Sequence, residues 1–289
     1  MDEREALELL GAALPAAGDD AAIVGSTAIT TDMLHASTDF PAGTTRYTAG
    51  WRSVAASLSD LAAMGAAPTA AVAAYADEAF VDRDLEAFVE GACDVCETVG
   101  ADYVGGDLDT HCEFTVTTTA IGEATAPVYR SGATPGDRLC VTGTLGRSAA
   151  ALRLFDRGET DRANGLFRFS PRVEAGRRLA GVGTAMMDSS DGLARSLHQL
   201  AEASDCGFAV DREAVPIDTS VDAVTDDPAD RWAAGVQFGE DFELVCTLPA
   251  DQLAAVEADL SVPLTPIGHV TDEGVRADGE PLADRGYTH

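Results

Sequence analysis

The N-terminal half of the chain changes between the two-residue period of β-strands and the spacing of amphipathic helices. Gly65, with Pro68 just beyond it, and Gly100 are typical of helix C-termini and indicate where two helices end. The pattern predicts helices at 3–14, 49–64 and 84–98, and strands at 20–24, 26–32, 69–76, 102–106 and 114–122. Neighbouring strands mixed with helices are typical of a mixed α/β domain and not of a sandwich.

A second mixed pattern follows residues 126–137, where two prolines and two glycines interrupt the periodicity. It predicts strands at 138–142, 185–188, 208–210, 243–248 and 265–270, and helices at 147–156, 171–180, 192–203 and 250–259. A chain of 289 residues is long enough to form two cores. We therefore predict the α/β class, with two mixed domains at 1–128 and 129–289.

The charge balance is strongly acidic, with 49 acidic residues against 19 basic residues and a net charge of −30. All the basic residues are arginine. Nucleic acids and anionic membranes bind clustered cations, so the composition argues against both partners. Because the acids are spread along the chain, they do not form an acidic tail. Metal binding and a surface adapted to high salt remain, and we favour a halophilic protein because salt screens the self-repulsion.

No apolar run approaches the ~20 residues that span a bilayer. The first five residues are mainly acidic, which argues against a secretory signal. We therefore expect a cytoplasmic protein.

The cysteines give a weak zinc pattern, because Cys93-x-x-Cys96 is followed by His111-Cys112. The first two cysteines lie in a predicted helix. His111 and Cys112 are adjacent at the expected start of a strand, so their side chains would point to opposite faces. Buried free thiols are therefore the preferred interpretation.

Six short acidic motifs, each with a glycine, serine or threonine, are the strongest chemical signal. They are Gly18-Asp19-Asp20, Thr30-Thr31-Asp32, Leu58-Ser59-Asp60, Gly105-Gly106-Asp107, Asp188-Ser189-Ser190-Asp191-Gly192 and Gly239-Glu240-Asp241. Carboxylates brought together repel unless a cation lies between them, and Mg²⁺ takes carboxylate and phosphate oxygens. If these motifs converge, they form a site for several magnesium ions and phosphate groups.

Each motif also has a purely structural interpretation. Gly18-Asp19-Asp20 is a common turn, and Ser190 and Asp191 are suitable helix caps. Asp60 lies beside the apolar face of a predicted helix, which is unfavourable without an ion pair or a metal. The chain has no Gly-x-x-x-x-Gly-Lys loop, so metals, arginine and backbone amides must neutralise any phosphate. We single out Arg130, near the predicted domain junction, although a surface ion pair explains it equally well.

Taken in order, the motifs resemble those of the thiamine-monophosphate kinase family, in the aminoimidazole-ribotide-synthase-like superfamily. The resemblance covers nearly the whole chain, and the ordered set is much more specific than any single motif. It rests on Gly18–Ala22, Thr30–Leu34, Leu58–Ala66, Gly105–Asp107, Arg130–Asp137, Val141–Gly146, Asp188–Leu193, Gly239–Leu244 and Ile267-Gly268.

The resemblance implies transfer of the γ-phosphoryl group of ATP directly onto thiamine monophosphate, which gives thiamine diphosphate. Several Mg²⁺ ions would bridge the phosphates, with ATP as co-substrate and no phosphoenzyme. The implied fold is two mixed α/β domains of the AIR-synthase-like type. The N-terminal domains would pair into a β-barrel across a homodimer.

The resemblance also implies roles for individual residues. The expected metal ligands are Asp20, Thr30, Thr31, Asp32, Asp60, Asp107, Asp188 and Asp191. The expected ATP-binding residues are Gly106, Asp107, Arg130 and Ser190, and the catalytic residues are Asp191 and Arg130. The expected substrate-binding residues are Asp39, Glu240 and Tyr287, the last as a stacking aromatic.

The chain departs from the family pattern at two positions. Asp39 precedes Phe40 where the family has a histidine, and Leu108 replaces a hydroxyl residue. An ionised aspartate cannot donate a hydrogen bond, so we expect Asp39 to line the substrate pocket through different contacts.

Two alternatives remain open at this point. One is a related synthetase for aminoimidazole ribotide or selenophosphate. Selenophosphate synthetases typically carry a reactive cysteine or selenocysteine and a lysine near the N-terminus, whereas the first cysteine here is Cys93. The other is a non-catalytic acidic protein that binds divalent ions, although the chain lacks the spacing of a calcium loop.

Overall fold

The computed structural model describes Gly11, Leu14 and residues 17–286. Most of the predicted helix at 3–14, and Tyr287, lie outside these described residues. The N-terminal half forms β1 (Ala22–Val24), β2 (Thr27–His35), α1 (Arg46–Ala63), β3 (Ala67–Asp77), α2 (Asp82–Val99), β4 (Asp102–Thr110) and β5 (Thr115–Glu123). The strands make a five-stranded sheet in the order β1-β2-β5-β3-β4.

The C-terminal half forms a second, seven-stranded sheet in the order β12-β11-β8-β10-β6-β9-β7. Its strands are β6 (Arg138–Thr142), β7 (Ala185–Asp188), β8 (Gly207–Val210), β9 (Leu244–Leu248), β10 (Leu264–Thr271), β11 (Gly274–Ala277) and β12 (Glu280–Pro281). Its helices are α3 (Arg147–Asp156), α4 (Thr160–Phe167), α5 (Val173–Leu179), α6 (Leu193–Ser204), α7 (Thr219–Asp222), α8 (Pro228–Val236) and α9 (Leu253–Asp259), with a 3₁₀ turn at Arg212–Ala214. The prediction of two mixed α/β halves is confirmed.

Helix α1 is the common scaffold of the two halves. Its N-cap is Thr45, whose side chain accepts a hydrogen bond from the backbone N–H of Thr48, and most of the helix residues are buried. Its Gly50 contacts α2 so closely that an added Cβ would lie 2.1 Å from the backbone oxygen of Phe88. On the C-terminal side, an added Cβ at Gly176 of α5 would lie 2.0 Å from the backbone oxygen of Ala62.

The side chains of the first sheet alternate between a face covered by α1 and an outward face. Asp32 pairs with Thr118 on β5, and Thr118 pairs with Ala73 on β3; this row faces α1, since Thr118 is fully buried. The next row contains Met33, which is 61% exposed, and faces outward. Through Thr117 and Ala74 it continues to Asp107 on β4.

Two strands are longer than predicted, and this changes the position of two motifs. Thr30-Thr31-Asp32 was expected at a strand end, but β2 continues to His35 because it pairs with β5 over nine residues. Asp107 was expected at the tip of a strand, but β4 continues to Thr110 along β3. Both predictions of a strand end were wrong.

The cysteines are free thiols, but only some of them are buried as predicted. Cys96, Cys140 and Cys246 are buried, whereas Cys93 and Cys112 are exposed. The expected strand start at His111 and Cys112 was also wrong, because both residues lie before β5. In the described part of the chain, no helix has the length and apolar character required to cross a membrane.

Candidate active site

Three carboxylates from distant segments meet at the junction of the two halves. Asp20 precedes β1, Asp60 lies near the end of α1, and Asp188 ends β7. One oxygen of each lies within 4.8 Å of the others. The sequence placed these residues in separate motifs, and the fold brings them together.

Neighbouring hydroxyl groups fix the orientation of these carboxylates. The Ser59 hydroxyl donates to Asp188 Oδ2 at 2.6 Å, and the backbone N–H of Ser190 donates to Asp188 Oδ1 at 3.2 Å. Thr30 donates its hydroxyl hydrogen to Asp60. Asp32, two residues after Thr30 on the same face of β2, accepts a hydrogen bond from Ser57 at 2.5 Å. Helix α1 and strand β2 therefore present acidic groups to one place, the acidic cleft formed by Asp20, Asp32, Asp60 and Asp188.

The electrostatics of the cluster fit a bound divalent cation. Burial, followed by repulsion from neighbouring carboxylates, raises the pKa of Asp60 well above its usual value. Burial and then repulsion from Asp20 raise the pKa of Asp188 to about 7. Both effects penalise the ionised forms, and a cation among the oxygens would remove the penalty. Several carboxylate oxygens beside hydroxyl groups are donors that suit Mg²⁺.

Arg130 is the cation next to the carboxylate cluster. Its guanidinium donates to both oxygens of Asp20, at 2.9 and 3.3 Å, and its backbone N–H donates to Asp19 at 2.7 Å. Burial lowers the pKa of Arg130, but the charge and hydrogen bonding of Asp20 and the charges of Asp188 and Asp19 together raise it by more, so the side chain stays ionised. Its side chain is 23% exposed and that of Asp20 2%, so this ion pair belongs to the cleft and not to the open surface.

The loop with Ser190 and Asp191 is joined to the loop with Glu240. The backbone N–H of Glu240 donates to the backbone oxygen of Ser190 at 2.6 Å. Gly239 lies so close to this loop that an added Cβ would be 2.6 Å from the same oxygen. After burial, the charge of Glu240 also contributes to raising the pKa of Asp32. Glu240 therefore lies within electrostatic reach of the acidic cleft.

Two expected site residues, Thr31 and Asp107, lie away from the carboxylate cluster. Thr31 is on the outward face of the first sheet and donates to the backbone oxygen of Thr118 at 2.8 Å. Asp107 also faces outward, three strands away from β2, which corresponds to about 14 Å at the usual strand spacing. Asp39 is buried, and its carboxylate accepts from the backbone N–H of His35 at 2.7 Å.

Sequence reasoning missed three residues of this region. Asp19 was read only as part of a turn motif, although it holds the backbone of Arg130. Ser57 and Arg52 were not singled out. The sequence signal was a polar residue within an alanine-rich helix, and the structure shows that both residues are buried in α1.

Comparisons with known proteins agree with this arrangement. The family model of the AIR synthase related protein, N-terminal domain, matches residues 18–124, and that of the C-terminal domain matches residues 134–278. A thiamine-monophosphate kinase of Halobacterium salinarum is 62% identical over 291 residues and is covered fully, as is this chain. This source fits the prediction of a halophilic protein.

Solved structures show the same fold. The thiamine-monophosphate kinase of Stenotrophomonas maltophilia K279a has a TM-score of 0.83 and 32% identity, covering 92% of this chain and 90% of that one. A structure described as AaThiL complexed with AMPPCP and TMP has a TM-score of 0.88 and 26% identity, covering 99% and 96%. The chain therefore belongs to the thiamine-monophosphate kinase family, among the AIR synthase related proteins.

Proposed function

We propose that the chain transfers the γ-phosphoryl group of ATP directly onto thiamine monophosphate and releases thiamine diphosphate and ADP. The observation that carries this proposal is the cluster of Asp20, Asp60 and Asp188 beside Arg130, at the junction of the two halves. Phosphoryl transfer depends mainly on positioning and on neutralising charge, and this cleft offers groups for both. The related protein complexed with AMPPCP and TMP supports the same pair of substrates.

We assign the metal site to Asp20, Asp60 and Asp188, with Thr30, Asp32 and Asp191 as further ligands. Bound Mg²⁺ ions would neutralise the phosphate oxygens of both substrates, which otherwise repel each other. Arg130 and the backbone at Ser190 then bind ATP phosphates, and Arg130 remains charged throughout because its pKa is raised. Asp191 and Arg130 remain our proposed catalytic residues. Direct transfer requires no covalent intermediate, so their role is to position the phosphates and neutralise charge.

The thiamine moiety is assigned to the side of the cleft formed by Glu240. A carboxylate suits both the cationic thiazolium ring and the amino group of the pyrimidine. We also propose that Asp39 lines the substrate pocket. Its carboxylate accepts from the backbone N–H of His35 and from the hydroxyl of Thr38, and these hydrogen bonds fix the turn that carries it. Tyr287 is retained as the stacking aromatic.

We further infer that two copies pair through the outward face of the first sheet and form a β-barrel. This face exposes Ile29, Met33 and Ile121, which is unusual on such an acidic chain. Thr31 and Asp107 lie on the same face, and Asp107 is too far from Asp32 to share an ion with it within one copy. In the homodimer, Gly106 and Asp107 of one copy complete the ATP and metal site of the other.

A mixed-dimer experiment tests this composite site. Asp60→Ala and Asp107→Ala should each abolish activity. Co-expression of the two variants should restore about a quarter of the wild-type activity, because half of the dimers are mixed and each has one intact site. No restoration would show that both residues serve the same copy.

The function itself is tested by incubating the purified chain with ATP, Mg²⁺ and thiamine monophosphate in high salt. The expected product is thiamine diphosphate, in equal amount to ADP. ATP hydrolysis without thiamine diphosphate would contradict the proposal.

We also propose a cytoplasmic location, where ATP is supplied, and a domain boundary between residues 128 and 129. The first sheet ends at Glu123 and the second begins at Arg138, on either side of this boundary.

A further inference from the structure

Arg52, in the middle of α1, is a buried cation outside the site residues assigned above. It is 1% exposed, and a guanidinium leaves water at a high cost unless it is paired. Its Nη2 donates to the carboxylate of Glu240 and, at 3.1 Å, to the backbone oxygen of Glu240. Its Nη1 donates to the backbone oxygen of Phe167 at 2.8 Å. One side chain therefore joins α1 to two segments of the C-terminal half.

Three aromatic rings lie close to this guanidinium. Its central carbon lies 3.7 Å from the ring centroid of Phe167. The rings of Phe169 and Phe242 stack on each other at 4.2 Å, and their centroids lie 5.3 and 5.5 Å from the same carbon. Aromatic faces attract cations, so the position of Arg52 is determined by rings as well as by hydrogen bonds.

Stability alone does not explain an arginine at this position. The Nε of Arg52 is buried without an acceptor among the described residues. Replacing a buried ion pair by apolar residues of similar volume is often neutral or stabilising. An apolar side chain among these phenylalanine rings would fill the space without the cost of desolvation.

The loop that Arg52 holds has an unfavourable backbone conformation. Glu240 and Phe242 have φ values of +65° and +53°, in the left-handed region that residues other than glycine rarely adopt. Arg52 binds this loop on one side, and the backbone oxygen of Ser190 accepts from Glu240 on the other. Such a conformation persists when surrounding contacts determine it.

The hydrogen bonds leave one carboxylate oxygen of Glu240 available. Arg52 takes Oε2, and no group of the described residues donates to Oε1. The ion pair thus orients Glu240 without using all of its acceptors. It also offsets the charge of Glu240, which acts on Asp32 in the cleft.

We propose that Arg52 is a positioning residue that holds the Glu240 loop in its left-handed conformation and presents Oε1 of Glu240 to the thiamine moiety of the substrate. This inference rests on the proposed function, in which Glu240 contacts that moiety. Arg52 acts through Glu240 and not on the phosphates. Its loss therefore changes the binding of thiamine monophosphate more than the binding of ATP.

Steady-state kinetics of Arg52→Met, Arg52→Lys and Glu240→Gln test the proposal. Arg52→Met should raise KM for thiamine monophosphate at least tenfold and change KM for ATP less than twofold. Arg52→Lys keeps the charge but cannot make all three hydrogen bonds, so it should raise KM for thiamine monophosphate about threefold. In the Glu240→Gln background, Arg52→Met should add less than a further twofold, because the two residues act as one unit.

A matched control is Arg153→Met, which removes a half-buried arginine with hydrogen bonds to both oxygens of Asp230, at 2.7 and 2.6 Å. It should leave both KM values unchanged. The proposal is overturned if Arg52→Lys has the wild-type KM for thiamine monophosphate, or if Arg52→Met acts equally with and without Glu240. If Arg52→Met does not fold, Arg52→Lys alone decides. A wild-type chain that makes no thiamine diphosphate contradicts the proposed function, whereas an active wild type with unaffected Arg52 variants contradicts only this role.

Discussion

Asp60→Asn should stabilise the metal-free protein while it removes the response to Mg²⁺. The side chain keeps its shape, and its amide oxygen can still accept the hydrogen bond from Thr30. The negative charge disappears from a cleft in which burial and repulsion already raise the pKa of Asp60. Most substitutions of a buried, hydrogen-bonded group destabilise a protein, so a gain in stability would be a specific sign of a cation site.

The magnitude follows from the separation of the carboxylates. Two charges 4.8 Å apart repel by about 3.5 kcal/mol at an effective dielectric constant of about 20. Arg130 offsets the charge of Asp20, so the repulsion of Asp60 by Asp32 and then by Asp188 remains. Proton uptake by either group relieves part of it. We therefore expect a gain of about 2 kcal/mol in the free energy of unfolding without metal.

Denaturant unfolding at one high KCl concentration measures the metal-free stability in EDTA and the stabilisation by Mg²⁺ in excess Mg²⁺. Salt screens exposed charges over a few ångströms but acts less on buried ones. Saturating Mg²⁺, at about 100 times its Kd, should stabilise the wild type by about 2.7 kcal/mol and Asp60→Asn by much less. The order of the two proteins should therefore reverse between the two conditions. Asp251→Asn, on an exposed aspartate, is the matched control and should follow the wild type in both.

Two results would refute this reasoning. One is a metal-free Asp60→Asn protein that is less stable than the wild type, since the three carboxylates would then impose no net repulsion. The other is an unchanged stabilisation by Mg²⁺, which would place the ion outside the cluster of Asp20, Asp60 and Asp188.

Three further predictions concern stability. Burial raises the pKa of Asp241 to about 7, so the folded chain keeps a proton that the unfolded chain loses above pH ~4. This group should lower the free energy of unfolding by up to about 4 kcal/mol as the pH rises from ~4 to ~7. Urea unfolding of Asp241→Asn should show a smaller fall than the wild type, because the raised pKa values of Asp60 and Asp188 remain. Gly106→Ala should lower the free energy of unfolding by at least about 2 kcal/mol, because its Cβ would lie 1.7 Å from a backbone oxygen of β3. Gly165→Ala, with open space around its Cβ, should not destabilise the chain. Arg172→Met should cost about 3–5 kcal/mol because it leaves Glu243 buried and unpaired, and adding Glu243→Gln should recover part of this loss in the same assay.

The elements that carry the central carboxylates could be predicted from the sequence. The apolar strand before Asp188 and the alanine-rich helix before Gly65 give strong local signals, and both form close to the predicted positions. Helices α4, α7 and α8 were missed, because they are short and their stability depends on packing more than on periodicity. Charge chemistry alone suggested that Asp20, Asp60 and Asp188 meet. The distances between their oxygens could be obtained only from the folded structure.

The position of Asp107 could not be predicted in the same way. Two glycines before an aspartate are typical of a loop, yet β4 continues through them because β3 supplies a neighbouring ladder of hydrogen bonds. Gly105 accommodates the irregularity with a φ of +136°. Since a shift of one residue moves a side chain to the other face, only the register shows that Asp107 faces outward.

Helix α1 explains why such distant motifs act at one place. Arg52 and Ser59 are seven residues apart, two turns along the same side of the helix, and they hydrogen-bond to the Glu240 loop and to Asp188 respectively. Ser57, on another side, binds Asp32 of β2. The helix thus fixes groups from both halves of the chain at once. The helix must therefore carry polar residues at buried positions. A prediction that expects only apolar residues at buried helix positions misses these residues.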